Sequence, residues 1–114
     1  MARCITESEF ASRIHRVLTS GGYQDIKAVT GPGRSGAVAS VYASHILGAA
    51  FIPFGQMIPE IGQLLIIDTA RSSGATLRRA ARKYSNHCPV VLALWEEPPR
   101  VKFWYEKEYI NDRN

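Results

Sequence analysis

Two stretches of this 114-residue chain place glycine, small hydroxyl side chains and arginine where an apolar run gives way to a helical one. The first is GPGRSG at residues 31–36, between "IKAVT" and an alanine-rich segment. As G-x-G-x-x-G it has the form of a dinucleotide-binding turn. Such a turn wants an acid about 20 residues downstream to hold ribose hydroxyls. No Asp or Glu occurs between Gly31 and Pro59, and Glu60 falls in a loop, so that chemistry lacks its partner. Ala37 also excludes a Walker loop, which needs Lys after its last glycine, and a nucleophile elbow, which needs glycine there. The turn still offers an anion its backbone amides at a helix N-terminus and the Arg34 guanidinium. The plain alternative is a tight turn with an exposed arginine.

The second stretch is "LLIIDTARSSGATLRRAARKY", at residues 64–84. An apolar strand delivers Asp68, and Thr69, Ser72, Ser73 and Thr76 follow with hydroxyls. Gly74 and Ala75 leave backbone amides accessible where the next helix starts. Amides and hydroxyls gathered at a helix N-terminus make a phosphate cradle.

The elements that must hold these loops can be read along the chain. Thr6 and Glu9 form a capping box, and Phe10, Ile14, Val17 and Leu18 give the helix behind it an apolar stripe. Gly21-Gly22 ends that helix. Residues 26–30 read as a buried strand and 36–47 as a small-residue helix. Residues 49–54 form a strand that Pro53 confines to an edge or an end. "QLLIID" at 63–68 is the clearest strand, apolar enough to be covered on both faces. A helix follows with Leu77, Ala80, Ala81 and Tyr84 on one side and Arg78, Arg79, Arg82 and Lys83 on the other. Residues 89–95 and 101–106 supply strands four and five. Helical crossovers imply parallel, right-handed connections. The expected fold is α/β: a three-layer, mostly parallel five-stranded sheet, order 2-1-3-4-5, with helices on both faces. Its switch point between strands 1 and 3 brings the two loops together.

Composition sets outer limits. The hydrophobic fraction of 46% suits a single globular domain over residues 1–114. No apolar run approaches the ~20 residues of a membrane span, and the N-terminus has no signal-like apolar core. Cys4 and Cys88, widely separated, read as free thiols in a reducing cytoplasm. A net charge of +4 favours an anionic ligand. The basic helix face with Phe103, Trp104 and Tyr105 could touch nucleic acid, but such a face is ordinarily just solvated. His15, His45 and His87 have no evident catalytic partner. The apolar side chains of so small a domain suit a homodimer.

The second stretch resembles the type I phosphoribosyltransferases. "IIDTARSSGATL" follows the frame of that family's motif for phosphoribosyl pyrophosphate, with Ser73-Gly74-Ala75-Thr76 in the terminal positions. The resemblance, spanning roughly residues 24–106, implies a fold and a set of roles. Arg71, Ser72, Ser73, Gly74, Ala75 and Thr76 would hold the 5′-phosphate. Asp68 and Thr69 would orient the ribose, with Mg²⁺ near Asp68. Gly33, Arg34, Ser35 and Gly36 would hold pyrophosphate. The implied reaction exchanges pyrophosphate for a nitrogenous base at the anomeric carbon, with Trp95 and Glu96 or Glu97 against the base. The partner would be phosphoribosyl pyrophosphate or a nucleotide. Three departures accompany it: Thr69 replaces the family's second acid, "GQMIPEIG" is short for a lid, and little chain is left for a base-gripping hood. They motivate an alternative, a non-catalytic nucleotide or phosphosugar binder of the same fold.

Overall fold

Thr6 starts the first helix by accepting a hydrogen bond at Oγ1 from the Glu9 amide, 3.1 Å away. The expected box is only half made, because the Glu9 carboxylate turns outward to Arg3 at 2.8 Å. In the computed structural model, which describes residues 3–59, 62–70, 74–96 and 101–106, nine principal elements follow one another. They are β1 (Cys4–Ile5), α1 (Glu7–Thr19), β2 (Ile26–Thr30), α2 (Gly33–Leu47), β3 (Ala50–Phe51), β4 (Gln63–Ala70), α3 (Ala75–Lys83), β5 (Val90–Trp95) and β6 (Lys102–Phe103). Among the described residues no helix is long and apolar enough to cross a membrane. Cys4 and Cys88 are exposed and free.

The main sheet has four parallel strands in the order β3-β2-β4-β5. Strand β4 is central, and its apolar middle, Leu64, Leu65, Ile66 and Ile67, is fully buried. Alternation along it sends Leu65 and Ile67 to a core shared with α1 and α2. Leu64 and Ile66 go to a second core beneath Leu77 and Ala80 of α3 and Tyr84 just after it. Helices therefore cover both faces, as two-sided burial of β4 requires.

The fifth strand departs from expectation. Residues 101–106 yield only β6, two residues long, and it does not join the main sheet. It pairs in parallel with β1, an element that two residues of sequence do not announce. The Lys102 amide donates to Arg3 O at 2.9 Å and the Trp104 amide to Ile5 O at 3.0 Å. The aromatic side chains decide this placement. Phe10 of α1 contacts Tyr42, Trp95, Phe103 and Trp104 with ring centroids 5.0–6.3 Å apart. Burying that cluster against α1 draws β6 away from the sheet edge beyond β5.

Two boundaries also move. Helix α2 begins at Gly33 and takes in the last four residues of the glycine hexapeptide, and β4 runs on through Thr69 and Ala70. Gly31 explains the first shift. A Cβ there would fall onto the carbonyl oxygens of Gly36 and Ile67, so the turn folds back on itself and against β4 at once. Gly33 differs: it sits at φ +69° with open space around it.

Gly31→Ala should therefore cost about 3 kcal/mol or more, since two backbone segments must part. Gly33→Ala meets only the left-handed penalty, about 1–2 kcal/mol. Urea unfolding of both variants measures the difference; equal losses would mean that the turn opens freely.

Candidate functional site

Strands β2 and β4 are neighbours, yet the chain leaves them for opposite faces of the sheet. From β2 it passes through Gly31-Pro32 into α2, and from β4 into α3 on the other side. The divergence opens a crevice at the carboxyl ends of the two strands, the usual ligand position in such sheets. The first of the two stretches meets the end of β4 here: its turn lies against the Ile67 carbonyl, one residue before Asp68.

Both helices aim their N-termini at this crevice. Pro32 stands before α2 with no side-chain cap, and no acid lies in the first turn. Gly74 stands before α3 at φ 84°, likewise without a side chain to cap it, and again no acid follows. Helix α1 is the contrast, with the Thr6 cap and Glu7 and Glu9 in its first turn. An α2 terminus of this kind leaves the amides of Gly33, Arg34 and Ser35 without intrahelical acceptors, and the dipole adds positive potential. Arg34 is exposed beside them. Thr30, the last residue of β2, is fully buried, and its Oγ1 has no hydrogen-bond partner.

Asp68 is half-buried near the end of β4, its Oδ1 accepting from the Thr69 amide at 2.7 Å. Burial pushes its pKa up to about 6, and the Thr69 hydrogen bond offsets part of that rise. Strand alternation turns Thr69 the other way, and it is 2% exposed. The Thr69 side chain is a hydrogen-bond partner of the Tyr105 hydroxyl, which also donates to Ser35 Oγ at 2.7 Å. Burial raises the Tyr105 pKa, Ser35 and Thr69 counter the rise, and the charges of Glu106 and Asp68 add to it. Tyr105 thus belongs to the site, although nothing in its spacing marks it. Only the β1–β6 pairing brings it to a serine 70 positions away.

The structure brings together Gly33, Arg34, Ser35 and Gly36 with Asp68 and Thr69, and places Gly74, Ala75 and Thr76 at the start of α3. Arg71, Ser72, Ser73 and Glu97 lie outside the described residues. Trp95 is a correction. Its ring is 2% exposed, packed against Phe10 and Phe103 with the Arg13 guanidinium 4.4 Å from its centroid. That leaves no face for a base. Sequence periodicity could not tell a strand-end tryptophan pointing inward from one pointing into the crevice. Glu96, the next residue, is exposed. Phe103 is also 2% exposed, while Trp104 and Tyr105 are partly buried against the same core.

The described residues contain no group of three His, Cys, Asp or Glu able to hold a metal by themselves. Asp68 supplies one carboxylate. A single carboxylate fits Mg²⁺ only in the mode where ligand phosphates and water complete its shell.

No protein-family model and no curated protein sequence matches the chain. Solved structures do. The chain is similar to the purine phosphoribosyltransferase of Pyrococcus horikoshii Ot3, with a TM-score of 0.73 and 14% identity over 91% of this chain and 93% of that one. It is similar to the Helicobacter pylori xanthine-guanine-hypoxanthine phosphoribosyltransferase, with a TM-score of 0.70 and 13% identity over 99% of both chains. A hypothetical protein from Neisseria gonorrhoeae with bound ppGpp matches at a TM-score of 0.64 and 14% identity, over 90% of this chain and 81% of that one. The chain has the phosphoribosyltransferase fold.

Asp68 gives a stability signature. Its folded pKa of about 6 lies above the ordinary 3.8, so the folded chain keeps this proton where the unfolded chain has lost it. Stability then falls as pH rises through that window. Asp68→Asn should flatten the fall and raise Tm at pH 7.5 by a few degrees; unchanged thermal melts across pH 4–7.5 would show that Asp68 is fully solvated.

Proposed function

We propose that the crevice binds phosphoribosyl pyrophosphate or a nucleoside monophosphate and transfers the phosphoribosyl group to or from a nitrogenous base. One observation carries the reading. Two helix N-termini whose N-cap residues, Pro32 and Gly74, supply no side-chain cap and whose first turns carry no acid meet beside one half-buried carboxylate, at the switch point of a phosphoribosyltransferase fold. The α2 amides and Arg34 face the diphosphate. The start of α3, with Gly74, Ala75 and Thr76, faces the 5′-phosphate; for Arg71, Ser72 and Ser73, outside the described residues, the assignment to the same phosphate rests on the motif's resemblance alone. Asp68, ionised above about pH 6, accepts from the ribose hydroxyls between them.

In the forward direction the C1′–O bond breaks and its electron pair leaves with the diphosphate. The base nitrogen lone pair forms the C1′–N bond, and its N–H proton passes to solvent. The sugar acquires oxocarbenium character on the way. The chain's own contribution is positioning by Asp68 and stabilisation of the departing negative charge by Arg34 and the α2 amides. Mg²⁺, when bound, supplies further positive charge to the diphosphate, with Asp68 as the protein carboxylate available to it. Glu96 is the exposed side chain nearest in sequence to where the base would enter. Cys4 and Cys88 suit the cytoplasm, where thiols stay reduced, and exposed Phe51, Phe54 and Met57 on and after the edge strand β3 offer a surface for a homodimer.

Two observations favour a second reading, binding without turnover. Thr69 stands where the family has an acid and is turned toward Tyr105, and the buried Trp95 cannot stack on a base. The ligand-bound Neisseria gonorrhoeae neighbour makes ppGpp a probe worth including.

Calorimetric titration with phosphoribosyl pyrophosphate, ribose 5-phosphate and ppGpp, each with Mg²⁺, tests the site. A pyrophosphate-release assay against adenine, guanine, hypoxanthine and xanthine tests turnover. Arg34→Ala should weaken phosphoribosyl pyrophosphate roughly tenfold or more, the loss of one charged hydrogen bond. It should leave ribose 5-phosphate little changed. Binding without release for every base establishes the second reading, and no binding of any phosphorylated ribose rejects both.

A further inference from the structure

Tyr105 joins the two loops of the crevice. Its hydroxyl donates to Ser35 Oγ at 2.7 Å and has the Thr69 side chain as its other partner. Ser35 belongs to the first turn of α2, and Thr69 to the end of β4. The phenol is held in place from behind. Its ring stacks on Phe103 with centroids 5.7 Å apart and planes 8° from parallel, and Trp104 packs on it edge-on at 5.0 Å. Phe103 is anchored in turn by β6 pairing with β1.

A serine hydroxyl has one proton to donate and room to accept. With Tyr105 donating into Ser35 Oγ, the Ser35 proton is left for another acceptor. A chain of hydroxyls polarises each member, so the last donor is strengthened. That donor stands among the α2 amides that lack intrahelical acceptors. Thr69 also has a role here that its position in the motif does not suggest. Two per cent exposed and turned to Tyr105, it braces the phenol and does not face the ribose.

We propose that Tyr105 is a positioning residue for the diphosphate, holding Ser35 so that the Ser35 hydroxyl donates to an anion at the N-terminus of α2. The proposal rests on the reading of the crevice as a two-anion site and adds the group that orients one half of it. A hydroxyl chain takes the place of the missing second acid. It acts on the leaving group's side of the site and not on the sugar.

The test is Tyr105→Phe, which removes the hydroxyl and keeps the stacked ring. Inorganic pyrophosphate and ribose 5-phosphate are titrated separately into the full chain by calorimetry. Pyrophosphate affinity should fall about fivefold, the worth of one neutral hydrogen bond. Ribose 5-phosphate affinity should stay within about twofold. Ser35→Ala should give a similar selective loss, and the double variant should lose no more than Ser35→Ala does, since both act through one donor. A role that is merely structural would lower both affinities together and so overturns the proposal. Unchanged or tighter pyrophosphate binding in Tyr105→Phe overturns it as well, while leaving the two-anion reading intact. If the unmodified chain binds neither anion, the reading of the crevice fails and this proposal fails with it.

Discussion

The close approach of Gly31 to Gly36 and to the Ile67 carbonyl is the constraint from which the site follows. It lets the chain turn from β2 into α2 without a side chain between the turn and the central strand. The α2 N-terminus is thereby pressed beside the end of β4, one residue short of Asp68. A Cβ at either glycine would lift the helix terminus from the strand, and the two halves of the crevice would separate. Interiors packed at crystal-like density do not absorb such an insertion locally. The hexapeptide therefore acts first as a packing device, and its anion chemistry depends on that packing.

A second assembly supports the first from the far end of the chain. Strands β1 and β6 are each two residues long, too short to persist as a pair in water. They hold because Ile5 and Phe103 are buried with Phe10, Trp95 and Trp104 around α1. Arg13 adds to this by donating to Leu94 O at 2.8 Å and lying over the Trp95 ring. The aromatic cluster thus fixes where the segment after β5 runs and carries Tyr105 to the crevice. In a domain with little chain to spare, one set of buried rings both completes the core and delivers a side chain to the site.

The sequence made β2, β4, β5 and the three helices legible because each has a strong local signal. The stripe of α1, the unbroken apolar run of β4 and the bounds of β2 correspond closely to what forms. The strand order β3-β2-β4-β5 is one that crossover rules permit without singling it out. What escaped depends on distant contacts. β1 is two residues with no periodicity, and β6 could be assigned to the main sheet until its partner was known. Trp95 and Thr69 share one difficulty: a strand-end residue has two faces to choose from, and both side chains are turned inward. Neighbours from α1 and from residues 103–105 made that choice. Tyr105 carried no signal, because its partner lies 70 residues away.

Charge ties these parts together. A phosphate site needs positive potential, and here fixed amides and Arg34 supply it without buried cationic side chains. Replacing a second carboxylate by Thr69 removes one negative charge from the place where the anion binds. It also removes one acceptor for the ribose and one ligand for a divalent ion. On the proposed reading, the first effect would strengthen capture of a phosphorylated ligand, and the second would weaken orientation of the sugar at the reacting carbon. Asp68 is left as the half-buried carboxylate at the end of β4, its pKa raised by burial to about 6. A cation bound beside it lowers that pKa by favouring the charged form. On the proposed reading, a divalent ion bound beside Asp68 below pH 6 would displace a proton, whereas capture of an anion through amides would need no such exchange.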